Sequence, residues 1–228
     1  MLFTGCSATK FTHAWERTKE ASYIAISDPL TWGSAATAGV LYATYDDDIT
    51  QHAMKNHPLD EEIDAPLQTI NSATLYATAL FVESDTMQKK GERLATDFAG
   101  STTAKWTADA LAQNIQKETP SGEDQYAIGS RHALDPFANA ALARRNINDM
   151  SIPNWGKYSL NTISYLSASG SAFTRVQDGG HSFADQLVSV SVGNFIGLFF
   201  YEAFLSEEQK FNVSLKNDAL FIQTNWAF

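Results

Sequence analysis

The chain is poor in several residue types, and each shortage narrows what it can be. Cysteine occurs once, at Cys6, so no disulfide can form within the chain. Cations are scarce: 16 Lys and Arg face 26 Asp and Glu, a net charge of -10. That balance argues against a nucleic-acid partner, because phosphate backbones are gripped by Lys and Arg. The acidity fits solubility instead. Charged residues of either sign make up only 18%. No apolar run reads as a membrane span, which needs about 20 mostly apolar residues. The nearest candidate, Leu187 to Leu205, contains Ser189, Ser191, Asn194 and Glu202, and reads as the central helix of a water-soluble bundle. Internal repeats and low-complexity tracts are also lacking.

What is present suffices for one folded domain. The 228 residues are 44% apolar, and a chain of this size buries roughly 70% of its unfolded surface. Ser27-Asp28-Pro29 starts a helix, with Asp28 as cap and Pro29 in the first helical position, and the Ala-rich run Leu30 to Tyr45 continues it. Asp46-Asp47-Asp48 reads as an acidic helix start, with a metal site as the less favoured alternative. Leu67 to Glu83 has helical spacing, and Asp85 to Gln116 reads as one or two helices interrupted near Gly100. Glu118 to Ser130 is a loop carrying Pro120, Gly122 and Gly129. His132 to Asn146, Tyr158 to Thr174 and Ser182 to Leu205 complete the helices. Beyond them, Phe211 to Leu215 and Ala219 to Phe228 alternate around a turn at Lys216-Asn217-Asp218, a short hairpin expected to pack on the helices. The fold class is therefore mainly α. Residues 1–20 form a polar tether, 21–205 the helical domain and 206–228 the hairpin. Trp32, Trp106 and Trp155 are expected in the core or at its rim. His13 is expected in solvent, and His52 and His57 on a helix surface.

The N-terminal Phe3-Thr4-Gly5-Cys6 resembles the end of a bacterial lipoprotein signal, where a small residue precedes the lipidated cysteine. The expectation is an exported envelope protein, periplasmic or anchored by lipid at Cys6. A free thiol in a frayed terminus is the plain alternative.

Chemistry concentrates in Thr174-Arg175-Val176-Gln177-Asp178-Gly179-Gly180-His181-Ser182-Phe183-Ala184-Asp185. If His181 opens a helix, Asp185 lies one turn on and can accept a hydrogen bond from the imidazole, fixing its tautomer. Arg175, across two glycines, can present a planar fork to a phosphate. Taken alone, the same residues also fit a surface Arg, a helix-cap His and a solvated Asp.

The segment resembles the third signature of the type 2 phosphatidic acid phosphatase family, which includes vanadium haloperoxidases and bacterial acid phosphatases. That signature is Ser-Arg, five residues, His, three residues, Asp. Thr174 replaces the Ser, while Arg175, His181 and Asp185 match. The second signature, Pro-Ser-Gly-His before a helix, is met by Gly129-Ser130-Arg131-His132, in which Ser130 and His132 match. Of the first, Lys, six residues, Arg-Pro, only Pro120 remains, with Ala112 for the Lys and Thr119 for the Arg.

The resemblance implies a helical bundle of the acid phosphatase and haloperoxidase type. It implies a metal-independent hydrolysis of a phosphomonoester, lipid phosphates and diphosphates among the candidates. His181 would be the nucleophile that forms a phosphohistidine, Asp185 would orient it, and His132 would be the general acid. Arg175 and Ser130 would hold the phosphate, with Arg131 or Lys117 standing in for the lost cations, or Arg131 obstructing the pocket. No cofactor is expected, and vanadate is disfavoured because the same cations would bind it. The implied partner is a phosphorylated small molecule or lipid headgroup. The alternative is a catalytically impaired relative that binds a ligand or partner in the envelope.

Overall fold

The structure is a computed structural model that describes residues 8–83, 85–123, 128–206, 209–216 and 219–226; the side chains of 8–13, 61 and 209–226 are not among the described parts. Cys6 lies outside the described residues. The chain is mainly helical. Its elements are α1 (Ala8–Ser27), α2 (Pro29–Tyr42), α3 (Asp46–Asn56), a 3-10 turn (Glu61–Ile63), α4 (Asp64–Leu80), α5 (Met87–Asn114), α6 (Arg131–Asp149), α7 (Asn154–Gln177) and α8 (Phe183–Phe204). The backbone strands β1 (Gln209–Lys216) and β2 (Ala219–Trp226) follow, antiparallel, with Val213 opposite Ile222. How a hairpin packs on the helices depends on side chains outside the described residues.

Two helices form the axis. Every residue of α6 from Ala133 to Ala143 is buried, and α8 packs against α1, α2, α5 and α6. The α6–α8 seam is close because α8 carries glycines four residues apart. A Cβ on Gly193 would stand 2.3 Å from Leu134 O, and one on Gly197 2.4 Å from Ala138 O. α8 is also long and apolar enough to cross a membrane, but half of the relevant window is buried inside the bundle.

The core is partly ionic. Arg93 is 1% exposed and donates to Asp85 (2.6 Å), Asn146 (2.9 Å) and Asp149 (2.7 Å). Tyr201 O–H donates to Asp149 as well, and Asn146 donates to buried Asp97. Asp85 and Asp97 are buried, so their partners matter most; Asp149 reaches solvent.

Three expectations are corrected. The tether is helical from Ala8, and α1 buries Ala21 and Ala25 in the bundle. The sequence there is polar but rich in Ala, Lys and Glu, which favour helix. α5 runs unbroken through Gly100, where a Cβ would meet Leu142 at 2.9 Å; that glycine serves packing, not a break. Trp32, Trp106 and Trp155 are 58%, 69% and 73% exposed.

Candidate functional site

α8 begins with a capping box. Ser182 Oγ accepts from Asp185 N–H at 3.2 Å, and Asp185 Oδ2 accepts from Ser182 N–H at 3.1 Å. The two N–H groups between them also have side-chain partners. Phe183 N–H donates to Thr50 Oγ1 (3.0 Å) and Ala184 N–H to Asp46 Oδ1 (2.7 Å), both on α3. The first of the three consecutive aspartates thus caps a helix other than its own. The α8 N-terminus, where an anion would otherwise be attracted, is filled by the protein's own oxygens.

Asp185 is 0% exposed. Its Oδ1 accepts from Tyr42 O–H at 2.5 Å, and Lys117 Nζ lies 2.9 Å from both oxygens. Lys117 also sits 4.6 Å from the centre of the Tyr42 ring, a cation–π distance. Burial, with the Asp185 carboxylate beside it, raises the Tyr42 phenol far above its ordinary pKa. Lys117, expected among the phosphate holders, is therefore neutralised by the residue expected to orient the nucleophile. Beside it lies a polar cavity of about 360 Å³, lined by Asp47, Thr50, Lys117, Thr119, Ser121 and Ser182 among others.

Arg175 and His181 meet through the backbone: His181 N–H donates to Arg175 O at 3.2 Å, closing the turn between α7 and α8. His181 is buried. The Arg175 guanidinium lies over that turn, with Nη2 3.0 Å from where a Gly180 Cβ would stand and Nη1 3.4 Å from Asp178. Its Nε is buried and has no hydrogen-bond partner among the described residues.

Ser130 is the N-cap of α6 but makes no side-chain cap bond. Its N–H donates to Ser189 Oγ (3.1 Å), and its Oγ accepts from Gln186 Nε2 (3.2 Å), both on α8. Gly129 before it has φ +93°, and a Cβ there would stand 2.4 Å from Ala108 O. Proline is fixed near φ -65° and cannot adopt this turn, so the departure from Pro-Ser-Gly-His changes the backbone itself. Arg131, a candidate phosphate holder, is corrected: it forms a two-pronged pair with Asp109 on α5 and is exposed.

His132 is held by a carboxylate. Its Nδ1 lies 2.7 Å from Asp64 Oδ2. Asp64 also accepts from Ser171 O–H (2.6 Å) and from Gln68 Nε2 (3.1 Å to each oxygen). Burial pushes the Asp64 carboxyl up, but the Ser171 and Gln68 hydrogen bonds and the neighbouring His132 outweigh it, and its pKa falls below the ordinary value. The Gln68 amide nitrogen also lies 2.8 Å from His132 Nδ1, so Asp64 and Gln68 meet at the same ring nitrogen; the carboxylate favours a proton on Nδ1, which would leave Nε2 for chemistry.

One end of the bundle thus gathers Arg175, His181, Asp185, Lys117 and Ser130, with Lys117 on Asp185 and Ser130 on Gln186 and Ser189. Tyr42, Asp46, Thr50, Asp64, Ser171 and Gln186 were not legible as site residues. The acidic triplet was the one signal for Asp46, and Asp64 gave one only as an acid just before Pro66. Among the described residues, no group of three or more His, Cys, Asp or Glu is placed to hold a metal.

No protein-family model matches the chain, and neither a curated protein nor a solved structure matches it. The family resemblance rests on the motif residues alone.

Proposed function

We propose that the chain is a catalytically impaired relative of the phosphatidic acid phosphatase and haloperoxidase superfamily that acts as a ligand-binding protein of the bacterial envelope. The observation that carries this reading is the pairing of Lys117 with Asp185. The cations that would hold a phosphate are already matched by carboxylates, Lys117 by Asp185 and Arg131 by Asp109. The N–H groups of α8 are taken by Asp46, Thr50 and the capping box. A phosphate arriving here would meet buried negative charge with Arg175 as its main cation, and lost donors to a transferring group weigh about 3 kcal/mol or more each.

The test is phosphate release from a panel of phosphomonoesters, lipid phosphates and diphosphates by the wild type and His181→Ala. Equal background from both is expected. A wild-type rate ten-fold or more above His181→Ala would establish the second reading. In that reading His181 is the nucleophile of a phosphomonoesterase, with Arg175 and Ser130 on the phosphate and His132 as acid. What favours it is the Asp64–His132 pair, a carboxylate-held imidazole suited to general acid catalysis. Neither reading uses vanadate. For the envelope assignment, mass spectrometry of the native protein should find diacylated Cys6; an unmodified thiol would reject the anchor.

A further inference from the structure

α7 and α8 each pack on α6 but scarcely on each other. The gap between them is a cleft of about 500 Å³, far from filled by its lining, which includes Leu59, Phe137, Phe173, Phe183, Leu187 and Val190. The lining contains no ionisable side chain, in a chain whose net charge is -10. We propose that this cleft between α7 and α8 is a binding site for an uncharged lipophilic small molecule. This assigns a ligand class to the binding reading above and rests on it.

Three features support the assignment. First, the cleft is preformed. Gln177 is 1% exposed, and its amide clamps Leu59 from both sides, donating to Leu59 O at 2.7 Å and accepting from Leu59 N–H at 3.1 Å. That fixes the Pro58–Leu59 rim. On the inner wall, Gln186 is tied to Ser130 on α6. Held walls with an apolar lining are what small-molecule sites have.

Second, its charge complements only a neutral occupant. A charged head or a charged peptide would lose hydration with no charged partner on the wall, where Ser169 and Gln186 are the polar side chains. Water in the cleft has few partners either, so an apolar occupant displaces it readily.

Third, the size fits a small molecule and not a docked helix. A helix 10–12 Å across rising 5.4 Å per turn fills roughly 400–600 Å³ per turn, so the cleft would take about one turn. Helix-in-groove recognition uses anchors over two turns or more. The α7 surface leading to the cleft is also apolar: Leu166 is 66% and Ile163 46% exposed. Lys157 is the only charged residue between Asn154 and Thr174.

The experiment titrates the full-length protein with N-phenyl-1-naphthylamine, an uncharged apolar fluorophore. The expected result is saturable enhancement at one site per chain, reversed by 1-dodecanol and indifferent to inorganic phosphate. Leu187→Trp, which fills the cleft, should weaken binding ten-fold or more. Ser169→Phe, at an exposed cleft position, does the same with little demand on folding, and circular dichroism confirms that both variants are folded. Trp155→Ala, elsewhere on α7, should bind as the wild type does. Non-saturable fluorescence, binding that survives both cleft variants, or binding seen only with lipid vesicles overturns the proposal. So does a dimer in sedimentation whose dissociation is needed before the probe binds, since the occupant would then be a second copy. Phosphate release measured on the same preparations tests the underlying reading separately.

Discussion

Lys117 Nζ lies 2.9 Å from both carboxylate oxygens of Asp185, one residue a third exposed and the other fully buried. Removing the cation leaves a buried charge supported, among the described residues, by Tyr42 and the Ser182 N–H. Truncating one member of a buried pair weakens a protein by about 3–5 kcal/mol. Because Lys117 reaches solvent, Lys117→Met should destabilise by about 1–3 kcal/mol. The double variant Lys117→Met/Asp185→Asn should recover much of that. Arg131→Met, at an exposed pair, should change stability by no more than about 1 kcal/mol. Urea unfolding of all three checks the order; equal losses at Lys117 and Arg131 would contradict it.

Arg93 holds three partners at 1% exposure. Arg93→Met leaves Asp85 and Asp149 without their guanidinium, and a loss of about 3–5 kcal/mol is expected. A melting temperature within a few degrees of the wild type would show that the network is dispensable.

Asp97 makes stability depend on pH. Burial pushes its carboxyl from 3.8 up to about 7, against the lowering effects of Asn146 and Arg93. Between those values the folded state holds a proton that the unfolded state has released. Stability is therefore greatest below about pH 4 as far as this group is concerned, and it falls as pH rises toward 7. Asp135, also raised by burial, acts in the same direction. Asp97→Asn should flatten the slope of unfolding free energy between pH 4 and 7 and raise stability at pH 8. An unchanged slope in the variant would assign the pH dependence elsewhere.

The α6–α8 seam has no room for a methyl group at Gly193 or Gly197, since each would strike a backbone carbonyl. Gly193→Ala and Gly197→Ala should each destabilise by about 1–3 kcal/mol or more. Gly39, inside α2 with nothing within 4 Å of a Cβ, is the contrasting case: Gly39→Ala should stabilise by about 0.5–1 kcal/mol. Thermal denaturation reads the opposite signs.

The His132 ring should carry its neutral-state proton on Nδ1, facing Asp64. Nitrogen-15 NMR of the wild type should show that tautomer. Asp64→Leu, which has no acceptor, should shift the population toward Nε2–H. A wild type dominated by the Nε2–H form would rule out Asp64 as its acceptor.

Local signals in the sequence located the helices well, because each is set by neighbours. Asp28-Pro29 does cap and open α2, its carboxylate accepting from Leu30 N–H. The spacing of Leu134, Phe137, Ala138, Ala141 and Leu142 does mark a helix, though α6 is buried on all sides from Ala133 to Ala143 and not on one face alone. Failures occurred where distant elements decide. Gly100 looked like a break until Leu142 and Phe200 stood against it. The chain around Arg175 and His181 was read with Asp185 as the local partner one turn away, whereas Lys117 and Tyr42 arrive on that carboxylate from 68 and 143 residues off. No periodicity could pair Asp64 with His132.

The bonds at the start of α8 also set an order of assembly. Asp46 and Thr50 join N–H groups 138 and 133 residues later, and α1, α2, α5 and α6 all lie against this last helix. During synthesis, seven helices emerge before the one that completes their shared interior. Such distant closures slow folding relative to bundles of neighbouring hairpins. They also leave the sides of α2 and α6 that face α8 uncovered until residue 204 has emerged, a window in which exposed apolar surface favours aggregation.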